Sequence, residues 1–181
     1  AYQDIDVNLV GDESLIRKEL SKRPYPESRI RISHASEIVA MDDPPSFAIR
    51  RKKDSSIRKA FEIVKSGQAD AVVSAGNSGA AMALALFMLG TVEGVERPAI
   101  GTTMPSLDKP FILIDAGANV DCSPANLFQF ALMGDAYSRL MLGRERPRVA
   151  ILSIGEEAVK GNELTKETFK LLKEVNINFT G

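Results

Sequence analysis

Apolar and polar positions along the chain switch repeatedly between a period of two and a period near 3.6. Ile5 to Val10 is a short apolar run ending at Gly11-Asp12 and predicts a strand. Glu13 to Leu20 places Leu15, Ile16 and Leu20 on one face, with Pro24 and Pro26 beyond, and predicts a helix. Arg29–His34 alternates, with Ile30 and Ile32 on one side, as a strand does. A charged, proline-containing segment follows from Asp42 to Lys53. Asp54-Ser55-Ser56 then stands where a cap belongs, ahead of a helix whose apolar face is Ile57, Ala60, Phe61 and Val64 and which ends at Gly67. Ala69–Ser74 predicts a strand buried on both sides, and Asn77 to Leu89 a buried apolar helix ending at Gly90. Pro98–Thr103 and Phe111–Ile114 predict two strands joined by a proline-rich turn. Ser123-Pro124 opens a helix that runs to Leu142 and stops at Gly143. Arg148–Ser153 predicts a strand, Asn162–Glu174 a helix, and Ile177–Phe179 a last strand.

This order predicts an α/β fold with a largely parallel sheet and helices on both faces. In such sheets ligands bind beyond the carboxyl ends of the strands. The 181 residues are enough for a real core, and 1–181 reads as a single α/β domain. A strand at each end reads as a piece of something longer. With 44% hydrophobic and 26% charged residues the composition is that of a globular chain, and a net charge of -1 leaves no footprint for nucleic acid. Cys122 is the single cysteine, so no internal disulfide forms, which fits a reducing compartment. His34 is the single histidine, which argues against a zinc site of nitrogen and sulfur ligands and against any Ser-His-Asp triad without it. The apolar run Ala80–Leu89 falls far short of the roughly 20 residues of a membrane span. No signal-peptide pattern opens the sequence, and the expected location is cytoplasmic.

Four constellations carry candidate chemistry. Ser74-Ala75-Gly76-Asn77-Ser78-Gly79 lies between a predicted strand and a predicted helix. Its glycines allow a tight turn, and the free amides of the helix start make a cradle for phosphate; the plainer reading is a capped strand-helix turn. It is neither a Walker loop nor a dinucleotide fingerprint. Asp115-Ala116-Gly117-Ala118-Asn119-Val120-Asp121 sets two carboxylates and an amide around a glycine turn, either to shape a site or simply to satisfy backbone amides. Ser153 to Thr165 contains Lys160 beside Gly161, where a lysine offers a point charge to phosphate or to an oxyanion, or else is a solvated loop residue. Arg50-Arg51-Lys52-Lys53 concentrates positive charge, either as a solvated helix face or as a dock for an acidic partner. His34 reads as a structural residue. Cys122 follows Asp121, and two nearby carboxylates should raise its pKa and leave it no nucleophilic role.

Taken together, M-D-D-P-P-x-x-A-I-R-R-K-K-D-S-S, A-D-A-V-V-S-A-G-N-S-G-A, E-R-P-A-I, D-A-G-A-N-V-D-C and K-G-N-E-L-T-K resemble, in order and spacing, the PlsX-type phosphate acyltransferases. The closing N-I-N-F-x-G is similar as well. The resemblance implies a three-layer α/β/α architecture with a mostly parallel sheet, like isocitrate dehydrogenases and phosphotransacetylases. It implies transfer of a fatty acyl group from acyl carrier protein to inorganic phosphate in phospholipid synthesis. It also implies a homodimer that needs no organic cofactor and associates peripherally with the membrane. Two departures stand out: the family's opening strand with its D-A-M-G-G-D run and its continuation past Gly181 are missing, and Glu156 stands where threonine is common.

On this resemblance the expected roles are as follows. Ser74, Gly76, Asn77, Ser78 and Gly79 bind phosphate. Lys160 and Asn162 act on phosphate or on the tetrahedral oxyanion, Asp115, Asn119 and Asp121 shape the floor, and Arg50, Arg51, Lys52 and Lys53 dock the acidic carrier protein. No metal is expected. Two rivals remain: a short-chain phosphotransacetylase using acetyl-coenzyme A, and a non-enzymatic scaffold binding an anion or a partner.

Overall fold

A computed structural model describes residues 4–155 and 160–181. The chain divides into two compact units, residues 1–91 and 92–181.

In the first unit, β1 (Val7–Gly11) and β2 (Ile30–His34) pair in parallel, Val7 opposite Ile30 and Gly11 opposite His34. The crossover is α1 (Glu13–Leu20), which coincides with its predicted bounds. Asp12 caps it, its carboxylate accepting the Leu15 amide at 3.0 Å. Three further helices follow: α2 (Pro45–Arg50), α3 (Ser56–Lys65) and α4 (Ser78–Met88). Their shared core is Ala48, Ile57, Phe61, Ala80, Leu84 and Met88. The spacings Ile57/Phe61 and Ala80/Leu84/Met88 are one helical stripe each. Full burial of a side chain such as Phe61 or Leu84 stabilises by about 1.5–3 kcal/mol.

Four expectations are corrected in this unit. Ala69–Ser74 joins no ladder among the described residues, and Val73 is 98% exposed. Apolarity asks for burial, but a strand also needs a neighbour to take its amides and carbonyls. The helix α4 is apolar all round, yet only its Ala80/Leu84/Met88 stripe is buried, while Leu86 and Phe87 are exposed. The segment Asp42–Lys53, for which no element was expected, contains α2; Pro45 at the first turn is compatible with a helix start, where no amide is required. Ser55 holds the cap position of α3 without capping it, because its hydroxyl donates instead to the Lys52 carbonyl at 2.8 Å.

In the second unit, β3 (Thr102–Met104) and β4 (Phe111–Leu113) form an antiparallel pair, and β5 (Arg148–Val149) and β6 (Asn178–Phe179) a parallel one. Between them lie α5 (Pro124–Leu142) and α6 (Glu163–Lys173). The bounds of α5 follow from its punctuation. Ser123 and Asn126 form a reciprocal capping box, and Gly143 closes the helix in the left-handed conformation, φ 62°. Phe130 and Leu172 are buried on the facing sides of α5 and α6, and Phe169 meets Phe179 edge to face at 5.2 Å.

The α/β class holds, with two of the three ladders parallel. Among the described residues the strands form three two-stranded ladders, and the run predicted as Arg148–Ser153 pairs only at Arg148 and Val149. Among the described residues no helix is long and apolar enough to cross a membrane.

Candidate functional site

In the first unit the candidate residues meet through one loop. Asn77 is the cap of α4, its side-chain oxygen accepting the Ala80 amide at 2.9 Å. Its amide nitrogen donates to the carbonyls of Ala40 at 3.0 Å, Met41 at 3.2 Å and Asp43 at 2.9 Å. The carboxylate of Asp43 in turn accepts from the Lys52 ammonium, which also donates to the Ile38 carbonyl at 2.7 Å. The Lys52 ammonium and the Ala40 amide hold Asp43 below the usual carboxylate range. The glycine turn and the basic run are thus braced against each other by the residues between Ala40 and Asp43.

This bracing decides what each candidate has left to offer. The buried Asn77 side chain is fully engaged within the fold. The Gly76 amide donates to the Ser74 hydroxyl at 3.2 Å, which engages that amide. The amides of Ser78 and Gly79 lie in the first turn, where a helix supplies no acceptor, and Ser78 is exposed. Lys52 is internal, and Arg51 lies over the Phe47 ring at 5.1 Å. Arg50, Arg51 and Lys53 form the exposed part of the run.

A second polar cluster in this unit had no expected role. Asp54 accepts from the Ser36 hydroxyl at 2.6 Å, the Ser36 amide at 2.8 Å and the Lys59 ammonium at 3.1 Å, and these donors pull its pKa strongly down. Lys59 also donates to the His34 carbonyl at 2.6 Å. The ring of His34 accepts the Glu13 amide at 3.2 Å, a structural use that agrees with its expected place. The cluster ties the end of β2 to the start of α3. No signal in the sequence marks it, since Ser36 and Asp54 meet only after folding.

In the second unit, Asp115 and Asn119 form one braced turn. Asp115 accepts the Ile100 amide at 2.8 Å and the Asn119 amide at 2.6 Å, and Asn119 donates its side-chain amide to the Pro98 carbonyl at 2.9 Å. Burial works to raise the Asp115 pKa, but the amides of Ile100 and Asn119, the Asn119 side chain and the Ala118 amide outweigh it and hold the group ionised below its ordinary range. Asp121 is exposed, and its carbonyl accepts from Arg97 at 3.0 Å. Burial first, then Asp115, pushes the Cys122 thiol up, with Arg97 opposing. The thiolate is disfavoured there.

Asn162 caps α6, its side-chain oxygen accepting the Thr165 amide at 3.0 Å. Its side-chain nitrogen has no partner among the described residues, and the residue is exposed. Lys160 is exposed as well, and among the described residues no hydrogen bond or ion pair joins it to Asp115, Asn119 or Asp121. Beside Asn162 opens a cavity of about 380 Å³ lined by Leu152, Ser153, Ile154, Gly161, Asn162 and Thr165. Ser153 stands in a run flagged by its sequence, but its hydroxyl had no expected part. The departure at Glu156 falls in 156–159, outside the described residues.

Amide-rich turns ahead of capped helices, on an α/β frame, are the setting for anion chemistry without a nucleotide. The frame itself is that of the phosphotransacetylases. The chain is similar to the EutD phosphotransacetylase from Staphylococcus aureus with a TM-score of 0.66 and 23% identity, over 97% of this chain and 59% of that one. It is similar to a branched-chain phosphotransacylase from Enterococcus faecalis V583 with a TM-score of 0.52 and 17% identity, over 96% of this chain and 66% of that one. At these identities the likeness is one of fold. The family is given by sequence: the model of the fatty acid synthesis protein family matches residues 1–181, and the chain belongs to that family. It is 54% identical to a phosphate acyltransferase of Thermodesulfovibrio yellowstonii over 99% of this chain and 52% of that protein. It is 52% identical to one of Geobacter sulfurreducens over 98% of this chain and 51% of that protein. The chain spans about half the length of the curated relatives it matches.

Proposed function

We propose that this chain contributes the anion-handling part of a phosphate acyltransferase, which transfers a fatty acyl group from acyl carrier protein to inorganic phosphate in phospholipid synthesis. The observation that carries this reading is the identity of about half of all positions, along nearly the whole chain, with proteins named for that activity. In the reaction a phosphate oxygen attacks the thioester carbon. The carbon–oxygen bond forms, the carbon–sulfur bond breaks, and the proton of hydrogen phosphate ends on the leaving thiol. Phosphate is already an anion at neutral pH, so the site has to position it and stabilise the oxyanion rather than generate a nucleophile. In the second unit Lys160 supplies charge and the side-chain nitrogen of Asn162 a donor; in the first, the turn at Ser74, Gly76, Asn77, Ser78 and Gly79 offers backbone amides to phosphate. Asp115 and Asn119, with Asp121 at the end of the same turn, shape the floor through the backbone they brace. Arg50, Arg51 and Lys53 form the surface for the acidic carrier protein, with Lys52 holding the loop behind them.

The same reading includes a cytoplasmic homodimer that associates peripherally with the membrane and uses no organic cofactor. Its test is direct. Full-length protein given palmitoyl-carrier protein and orthophosphate should form acyl phosphate, trapped by hydroxylamine as the hydroxamate. No hydroxamate above the no-enzyme control would sink the reading. The phosphotransacetylase frame favours one alternative, a short-chain enzyme using acetyl-coenzyme A. Faster turnover of acetyl than of palmitoyl donors would select it.

A further inference from the structure

The segment from Ser36 to Asp54 carries four acids and four cations, and the fold sorts them. Three of the acids turn inward. Glu37 accepts the Asp54 amide at 2.8 Å, Asp43 accepts the Ala40 amide at 2.7 Å and the Lys52 ammonium, and Asp54 is taken by Ser36 and Lys59. Three of the cations, Arg50, Arg51 and Lys53, face outward, and Asp42 is the one exposed carboxylate of the segment. Its outer face is therefore cationic although its charges balance as a whole. On the same segment Ile38 and Met41 are 69% and 72% exposed, while Val39 between them packs against the helical core. The backbone that presents the two bare side chains is held. The Ile38 carbonyl accepts from the Lys52 ammonium at 2.7 Å, which sets Ile38 beside the basic run, and the Met41 carbonyl accepts from the Asn77 side chain at 3.2 Å. A partner that covers them has only side-chain freedom to remove, so little of the gain from burial is lost to ordering.

From this arrangement we infer that Ile38 and Met41 are the apolar anchors of a docking surface for an acidic amphipathic helix, with Arg50, Arg51 and Lys53 as its charged flank. A helix with an apolar stripe between carboxylates presents both chemistries on one side. The two parts of the surface act differently. Cations draw an acidic partner in from a distance and set the rate of encounter, which salt screens. Apolar contact has no such range and sets how long the complex lasts. An anionic lipid surface is the poorer match, because Asp42, exposed next to Met41, would be pressed against like charge. The inference rests on the proposed carrier-protein donor. It assigns the helix to that protein, and it makes Ile38 and Met41 the residues that tell this donor from acyl-coenzyme A, which has no helix to seat.

The test uses full-length protein and follows the binding of carrier protein by surface plasmon resonance at low and high salt. Both side chains stand outside the core, so the double variant Ile38→Ser with Met41→Ser is expected to fold. It should raise the carrier dissociation rate about tenfold, with association within about twofold of wild type and the salt dependence unchanged. Arg50→Glu should do the reverse, slowing association and flattening its salt dependence. In turnover, the double variant should raise the KM of palmitoyl-carrier protein about tenfold and that of palmitoyl-coenzyme A by no more than about twofold. Unchanged carrier dissociation in the double variant overturns the inference. So does an equal rise in both donor KM values, which would place the two residues on the acyl chain. Vesicles of phosphatidylglycerol and phosphatidylcholine are a further probe: loss of vesicle binding with carrier binding intact overturns the inference in favour of a lipid surface. These outcomes separate from the failure of the enzymatic reading. Wild type that forms no acyl phosphate, yet binds carrier protein in a way that depends on Ile38 and Met41, would remove the reaction and keep the surface.

Discussion

Asn77 and Asn162 occupy equivalent places in the two units: each ends a glycine-bearing turn, and each caps the helix that follows. Their surroundings differ completely. Asn77 is 8% exposed, and its nitrogen faces three carbonyls. Asn162 is exposed, its nitrogen faces none among the described residues, and a cavity opens beside it. The same residue in the same local role is structural in one unit and available for chemistry in the other. The deciding factor is whether another stretch of backbone arrives to use the amide.

The largest effect should fall on the open turn. Lys160→Ala in the full-length enzyme is expected to lower turnover by roughly 10²–10³, the usual cost of one oxyanion-stabilising group. Near-normal turnover would remove Lys160 from the chemistry. Next in size is the loss of the closed turn's brace. Asn77→Ala removes a cap and the part-buried bonds to the 40–43 carbonyls, and should lower unfolding free energy by about 2–3 kcal/mol in a urea titration. Asn162→Ala should cost only about 1 kcal/mol there, since only the cap is lost. Equal destabilisation by the two alanines would erase the contrast.

Smaller effects should separate the exposed cations from the internal one. Reversing Arg50 and Lys53 is expected to raise the carrier-protein KM several-fold and flatten its salt dependence, with little change when acyl-coenzyme A is the donor. Lys52→Ala should instead act on stability, because it releases Asp43. A purely kinetic effect of Lys52→Ala would show that its pairing with Asp43 is dispensable. The smallest effect concerns acid. Asp12, Asp43 and Asp54 all have pKa values below the ordinary one in the folded chain, so the unfolded chain takes up protons first. Their contribution is full above about pH 4 and is lost as pH falls through the folded values. Asp54→Asn should reduce the acid sensitivity of the melting temperature, and an unchanged slope would argue that the Ser36 and Lys59 contacts carry no weight.

What could be read before folding was mostly punctuation. Ser123-Pro124 and Gly143 bound α5 because a cap and a left-handed glycine act within one turn of chain. Asn77 and Asn162 could be read as caps for the same reason. The strand at Ala69–Ser74 could not be judged, because a ladder is a property of two segments and its apolar residues belong to one. The identity of Lys52 as an internal residue was equally hidden. It depends on α2 turning the chain so that Asp43 comes under it. Local rules therefore located both turns, and long-range approach decided which of them stayed open.

One detail of the closed turn has a mechanical consequence. A carboxamide has two hydrogens, and Asn77 offers them to three oxygens at 2.9–3.2 Å, so at least one hydrogen is shared between two acceptors. A shared bond allows one oxygen to recede as another advances without the grip being lost. The joint between the base of α4 and the 40–43 segment is therefore a swivel rather than a weld: it tolerates small sliding of that segment and resists only its full departure.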